Sequence, residues 1–413
     1  MDYRTTPKKG KNRHLKLEMV YDMDNIRLAD KEARKGKSKK YGPRKFDRNR
    51  EENLQSLRKS LITRNYHTMQ PNFETRFCDT KVRVLSKVHY KYHIAHHAFM
   101  QIIGPTLNKS YYYESTASIK GRGIRYAKKH LEKYLRKHPN WKFYHTQLDF
   151  KKFYHYIVRQ YLYNKFCGTF SDKGLRWLAH DIIWSLGNHN GLTPSDGNTG
   201  MGIGMYPVQP LINFYLNDFD RVISKIRGVK YYRYCDNSLL VSTSKKALEK
   251  AIKIILKWSR KIFCQPVHTN ICIQSLSKEH PISFVGYKFY QNKTFIRNNV
   301  KKHFISKIRH SKGETLRRVL VSYKGWLECC NALGLWKKIT YMESFNGFDT
   351  KPKEKDKLPI SKKFKFVYKN KLYLWNYNQI IKDPSIPEWV RGYSSAGTRE
   401  RKLFNRRWKE ESL

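Results

Sequence analysis

Leu148-Asp149-Phe150-Lys151-Lys152-Phe153-Tyr154 and Tyr234-Cys235-Asp236-Asn237 decide how this chain is read. Each sets an aspartate at the end of a short apolar and aromatic run with strand character. An unpaired carboxylate is expensive to bury, so an aspartate at a strand end rarely serves packing. Two such carboxylates brought together make a seat for Mg²⁺, the cation with which proteins move phosphoryl groups on nucleotides. Val229 to Tyr234 and Ser238 to Ser242 read as strands joined at Cys235-Asp236-Asn237, a hairpin that presents Asp236 at its tip. Before it, Pro210 to Ile226 carries Leu211, Ile212, Tyr215, Leu216, Phe219 and Ile223 at helical spacing, and Gly228 ends it. After it, a helix is predicted from about Lys245 to Ile262, with Ser244 as N-cap. Trp141 to Asp149 reads as a strand and Phe153 to Phe166 as a helix.

Farther out, residues 1–48 are polar and basic, densest at Lys35-Gly36-Lys37-Ser38-Lys39-Lys40, and read as a loop or nucleic-acid arm. Leu54, Leu57 and Leu61 predict a short helix over 50–65, and Lys81 to Leu85 a strand with outward cations. A helix over 89–107 is expected to stop near Pro105. Its His93, His96 and His97 read as packing residues, because no further ligand stands at zinc spacing. Lys120-Gly121-Arg122-Gly123 opens a basic helix that runs to about Lys137 and is closed by Pro139. A flexible insertion rich in Gly, Asn, Ser and Thr is predicted at about 187–203. Phe284 to Phe289 begins a hairpin turning at Asn292-Lys293, residues 300–340 read as helical, and a Lys- and Pro-rich link leads to an aromatic hairpin and a basic tail. Strand–helix followed by helix–strand–strand–helix indicates an α+β class with helical appendages.

The 413 residues hold 84 Lys+Arg against 33 Asp+Glu, a net charge of +51 that calls for a polyanionic partner. Cations run along the whole length instead of gathering on one amphipathic helix, which favours nucleic acid over a membrane surface. No run of about 18 apolar residues exists to span a bilayer. The polar start and seven scattered cysteines without C-x-x-C spacing lead us to expect a cytoplasmic protein with reduced thiols.

From about residue 30 to 340, these segments resemble a reverse transcriptase of the bacterial and phage retroelement type. Leu148 to Tyr154 is similar to the first palm motif and Tyr234-Cys235-Asp236-Asn237 to the palm hairpin. Phe284-Val285-Gly286-Tyr287 resembles the primer grip, Lys81-Val82-Arg83 the fingers strand, and Ser322-Tyr323-Lys324-Gly325-Trp326-Leu327 the thumb helix. Gly204-Met205-Tyr206-Pro207-Val208-Gln209 resembles the Gly-x-x-x-Ser-Gln signature of diversity-generating retroelements, with Val208 in place of serine. Ser118-Ile119-Lys120-Gly121-Arg122-Gly123 is similar to the fingers stretch of that subtype. The resemblance implies a right-hand polymerase fold: an arm at 1–48, fingers at 49–138, palm at 139–298, a helical thumb at 299–345 and an extension at 346–413.

The same resemblance implies roles. Asp149 and Asp236 would be catalytic, with Asn237 standing where relatives usually carry a second aspartate. Two Mg²⁺ ions, or Mn²⁺, would be held by Asp149, Asp236 and the Phe150 carbonyl. Arg83 and Arg122 would meet the triphosphate, and Tyr154 would exclude a 2′-hydroxyl. Ile203, where many relatives have glutamine, would loosen base selection beside Gly204 and Gln209. Lys278 would protonate pyrophosphate or simply lie on the surface. Lys120, Arg125, Lys128 and Lys129, with Phe284, Gly286, Tyr287, Tyr323 and Trp326, would bind nucleic acid. The partners implied are an RNA template, a DNA or RNA primer, dNTPs and, in a diversity-generating element, a small basic accessory protein. Rival readings are a defence-associated or abortive-infection reverse transcriptase, and a catalytically impaired nucleic-acid-binding paralogue, for which Asn237 is the evidence.

Overall fold

The computed structural model describes residues 12–69, 71–78, 81–185, 199–260, 271–311, 313–340, 364–368 and 371–375. The chain divides into two compact units, Met1–Val285 and Gly286–Leu413. The division falls inside the Phe284-to-Tyr287 segment.

The first unit opens with helices α1 (Leu17–Tyr21), α2 (Met23–Ala33), α3 (Tyr41–Phe46) and α4 (Arg50–Ile62). The basic arm expected over 1–48 is therefore helical and packed from residue 17 onward. Leu17, Val20, Ile26, Ala29, Ala33 and Phe46 are buried in the main core, and Asp22 caps α2 by accepting from the amides of Asp24 and Asn25. These few apolar residues keep a helical period that the surrounding lysines mask. Asp30 is fully buried and accepts from Arg34, Arg50 and the Tyr90 hydroxyl, which ties the helices together. Only the dense stretch at 35–40 is an exposed turn, as expected.

Strands β1 (Asn72–Cys78) and β2 (Lys81–Lys87) pair antiparallel, with Arg76 opposite Arg83. Helix α5 (Tyr90–Ser110) runs through Pro105 instead of stopping there. Pro105 sits on the exposed face, while Ile103 and Leu107 are buried on either side and hold the helix across the missing amide bond. His96 is fully buried, His97 stacks on Tyr206 at 3.7 Å, and His93 meets Lys37 at 2.9 Å. Among the described residues no group of three or more His, Cys, Asp or Glu could hold a metal ion.

Helix α6 (Ile124–Lys137) leads to β3 (Tyr144–Leu148), then α7 (Arg159–Thr169) and α8 (Lys173–Ser185). The helix expected over 153–166 is interrupted. A single turn at Phe153–His155 precedes α7, because Lys152 is left-handed at φ 46° and Val158 is extended. Most of the insertion expected at 187–203 lies outside the described residues. Helix α9 (Val208–Ser224), β4 (Val229–Tyr234), β5 (Asn237–Ser242), α10 (Lys245–Trp258), β6 (Gln274–Ser275) and β7 (Ile282–Phe284) complete the unit. The central antiparallel sheet has the order β4-β5-β3-β6. Helices α9 and α10 cover it, with Phe219, Ile223, Leu248, Ala251 and Ile255 buried in the same core as Leu148, Tyr231 and Leu240. Ser244 caps α10 by accepting from the Ala247 amide.

In the second unit, β8 (Tyr287–Phe289) pairs with β9 (Thr294–Ile296), followed by α11 (Asn298–His310), α12 (Gly313–Leu327) and α13 (Leu333–Thr340). Ile296, Phe304, Tyr323, Leu327, Ala332 and Trp336 form its core. The aromatic hairpin expected near the C-terminus is present as β10 (Phe364–Tyr368) and β11 (Lys371–Trp375). The link and the basic tail lie outside the described residues. No described helix is long and apolar enough to cross a membrane.

Candidate active site

The two decisive aspartates come from neighbouring strands. β3 pairs with β5 so that Leu148 faces Ser238, and β5 pairs with β4 so that Tyr234 faces Asn237. Asp149 therefore leaves the sheet beside the two-residue turn Cys235-Asp236. Asp149 is exposed and Asp236 half-buried. Burial pushes the Asp236 carboxyl up, and the nearby Asp149 charge pushes it further; its own amide, Arg83 and Arg233 pull the other way. The carboxylates thus act on one another, and Arg83 of β2 reaches the same field. Burial likewise raises the Cys235 thiol to about 11, with Asp236 adding to the shift and Arg233 and Arg83 opposing it.

The turn is held from beneath. Cys235 sits at φ 55°, a conformation costing a side-chain-bearing residue about 1–2 kcal/mol. Its carbonyl accepts from Arg233 Nη1 at 2.7 Å. Arg233 is fully buried and grips Asp220 of α9 with both arms, Nε to Oδ1 at 2.7 Å and Nη2 to Oδ2 at 2.6 Å. The Tyr231 hydroxyl donates to Asp220 Oδ1 at 2.9 Å, and Asn213 Oδ1 accepts from Arg233 Nη1 at 3.2 Å. The backbone of Arg233 also pairs with Glu114 and Thr116, which clamps the segment before α6 to β4. These bracing residues were not anticipated. Their signal is a carboxylate and a guanidinium inside apolar runs, Phe219-Asp220 and Tyr232-Arg233-Tyr234, where each needs a buried partner.

Tyr154 donates to Gln209 Oε1 at 2.9 Å, and burial raises its hydroxyl well above the usual range. Gln209 Nε2 is buried without a hydrogen-bond partner among the described residues. The Ile203 carbonyl accepts from the Ser86 amide at 2.7 Å, which docks this segment on β2. Gly204 is required there: its φ is +107°, and a Cβ would meet the Ser86 carbonyl oxygen at 3.3 Å. Tyr154, bonded to Gln209, and Arg83 thus share the electrostatic field of Asp236, while Ile203 and Gly204 dock on the strand that carries Arg83.

The oxygen donors suit a hard divalent cation. Asn237 Oδ1 is buried with no hydrogen-bond partner among the described residues, adjacent to two carboxylates that repel one another. Mg²⁺ is commonly held by one or two carboxylates, with substrate phosphates completing its shell. Asp149, Asp236 and the carbonyls of Phe150 and Asn237 fit that pattern. The Phe150 ring itself is buried against Phe153 and Phe219, so only its backbone is available.

Several other expected contact residues are engaged within the protein. Arg122 donates from Nη1 to the carbonyls of Tyr112 at 2.7 Å and Ser115 at 3.0 Å, bracing the loop. Lys128 lies on the buried face of α6, paired with Glu132 at 2.6 Å. Phe284, Tyr287 and Tyr323 are buried core residues, because their rings are the largest apolar surfaces available to small sheets and short helices. Tyr323 stacks on Phe304 at 4.2 Å. The half-buried Trp326 lies over Gly286, where a Cβ would come within 2.5 Å of the indole. Lys120, Arg125 and Lys129 are exposed, as is Lys278 in its loop.

A family model described as reverse transcriptase (RNA-dependent DNA polymerase) matches residues 72–289. No curated protein matches the chain. Among solved structures, telomerase from Candida albicans in complex with a TWJ fragment of telomeric RNA aligns with a TM-score of 0.43 at 10% identity, over 64% of this chain and 55% of that one. This chain thus spans about 55% of the length of that telomerase chain. The family match takes in more than half of the sequence, from β1 through β8, with both aspartates and the strand that carries Arg83 inside it; the chain belongs to the reverse transcriptase (RNA-dependent DNA polymerase) family and has its right-hand polymerase fold.

Proposed function

We propose that this protein makes cDNA on an RNA template. A primer 3′-hydroxyl attacks the α-phosphate of a dNTP, a new P–O bond forms, the bond to the β-phosphate oxygen breaks, and pyrophosphate leaves with the hydroxyl proton lost to solvent. The observation that carries this reading is the strand register, in which Leu148 faces Ser238 and Tyr234 faces Asn237, so that Asp149 leaves the sheet beside the turn that holds Asp236. Asp149, Asp236 and the Phe150 and Asn237 carbonyls would hold two divalent ions, which would neutralise the charge on the reacting phosphates. Arg83 is suited to the triphosphate by its guanidinium fork. Tyr154, fixed by Gln209, supplies a ring beneath the sugar.

Asp149→Asn and Asp236→Asn should each abolish Mg²⁺-dependent incorporation of labelled dNTP on a primed RNA while leaving RNA affinity intact. Full incorporation by either variant would remove this assignment. The same assay addresses the impaired-paralogue reading suggested by Asn237, since a wild-type chain that adds no nucleotide would favour it. The Gly204-to-Gln209 stretch supports membership in a diversity-generating element with a small basic helper, and Ile203 supports low fidelity, because a missing polar clamp leaves a wrong base less penalised. Ile203→Gln should lower the misincorporation rate; equal rates would refute the low-fidelity argument. A defence-associated enzyme of the kind that makes untemplated DNA would, in contrast, extend DNA without following the template.

A further inference from the structure

Helix α6 carries two parallel stripes outside the catalytic constellation. Arg125, Lys129, Lys133 and Arg136 are exposed along one side. One position further round lie Tyr126, His130, Tyr134 and His138, all half-buried. The opposite side, with Ala127, Leu131 and Leu135, is core. Rings touch along this stripe: Tyr126 and His130 lie 3.9 Å apart with planes tilted by 31°, Tyr134 meets His138 edge-on at 5.8 Å, and His138 stacks on Trp141 at 3.7 Å with the planes 10° apart. Trp141 nevertheless remains 47% exposed, and Lys137 and Lys142 flank it in solvent. A solvated charged face would account for the cations. It gives no reason to hold an indole parallel to an imidazole and half in water, since burial of that ring would be favoured.

A cationic track beside stacked aromatic rings is the chemistry that binds single strands: phosphates follow the charges, and bases stack on the rings. α6 rises about 21 Å, and Trp141 precedes Asp149 by eight residues, at most roughly 26 Å of extended chain. At its other end, α6 adjoins the segment clamped to β4 beside the catalytic turn.

We propose that this face binds single-stranded RNA, the template before it is copied, with bases stacking on the Trp141–His138 platform and phosphates lying along Lys129 and Lys133. The identity of the strand rests on the RNA-directed polymerase reading; the binding chemistry does not.

The test is the affinity of the full chain for an end-labelled oligouridylate, measured without dNTP over a range of salt, against an RNA–DNA hybrid of equal length. Trp141→Ala should weaken oligouridylate binding about tenfold, with the salt slope and the hybrid affinity unchanged. Trp141→Tyr should restore binding. Lys129→Gln/Lys133→Gln should lower the slope by about 1.4, at about 0.7 per single-strand phosphate contact. Unchanged oligouridylate affinity in Trp141→Ala, or equal losses for hybrid and single strand, would overturn the site. A loss confined to oligothymidylate would overturn the assignment to RNA. A chain that binds through Trp141 but adds no nucleotide would sink the polymerase reading and leave this site standing.

Discussion

Replacing Arg233 with methionine tests whether the catalytic turn is positioned from the interior. The single change leaves the fully buried Asp220 carboxylate with the Tyr231 hydroxyl as its partner among the described residues. Breaking a buried ion pair on one side costs about 3–5 kcal/mol, a large part of a typical stability of about 5–15 kcal/mol. Arg233→Met should therefore be strongly destabilised in urea unfolding. Adding Asp220→Leu removes the stranded charge, and an apolar pair of similar volume should restore most of that stability. What the double variant cannot restore is the bond from Arg233 Nη1 to the Cys235 carbonyl. That bond, together with relief of the left-handed strain at Cys235, would favour a relaxed turn by about 2 kcal/mol, a factor of roughly thirty. The double variant should fold, bind dNTP with an unchanged KM, lose kcat by that factor, and need more Mg²⁺ for half-maximal rate. A double variant that is stable and incorporates nucleotide at the wild-type rate would refute the bracing argument. So would one as unstable as the single variant.

Two further outcomes follow from burial. His96 is fully enclosed, neither ring nitrogen has a hydrogen-bond partner among the described residues, and burial holds its pKa at about 3. The unfolded chain binds more protons between about pH 3 and 6.5, so stability falls on acidification. This histidine alone should account for about 1.4 kcal/mol lost on going from pH 7.5 to 5.5. His96→Leu should remove that share of the slope and raise stability at pH 7.5 by about 1 kcal/mol or more in urea unfolding; an unchanged slope would argue against a buried neutral ring. In the second unit, Gly286→Ala forces a Cβ to within 2.5 Å of Trp326 at φ +86°, and should cost about 2–4 kcal/mol in thermal unfolding.

Periodicity made much of the palm legible. Leu211, Leu216, Phe219 and Ile223 mark α9 by helical spacing, Ser244 announces α10, and the run around Cys235-Asp236 reads as a hairpin because strands alternate and turns interrupt them. Asp149 and Asp236 stood out because carboxylates at strand ends have no packing purpose. The N-terminal helices were hidden, since Ile26, Ala29 and Ala33 are outnumbered by cations, and a count of charge does not show which residues share a face. The partners of Arg122 and Lys128 within the protein are hidden for a related reason. A basic residue looks the same in a sequence whether it meets a phosphate or a backbone carbonyl.

The amino-acid order alone determined the α+β class, the two acidic strand ends and the demand for a polyanion, because these depend on residue type and local spacing. Tertiary structure alone decided that Arg233 and Asp220 close a buried pair beneath the catalytic turn, and that the rings of Tyr287 and Tyr323 are buried. Partners distant in sequence set burial, and burial sets whether a charge or a ring is free to act.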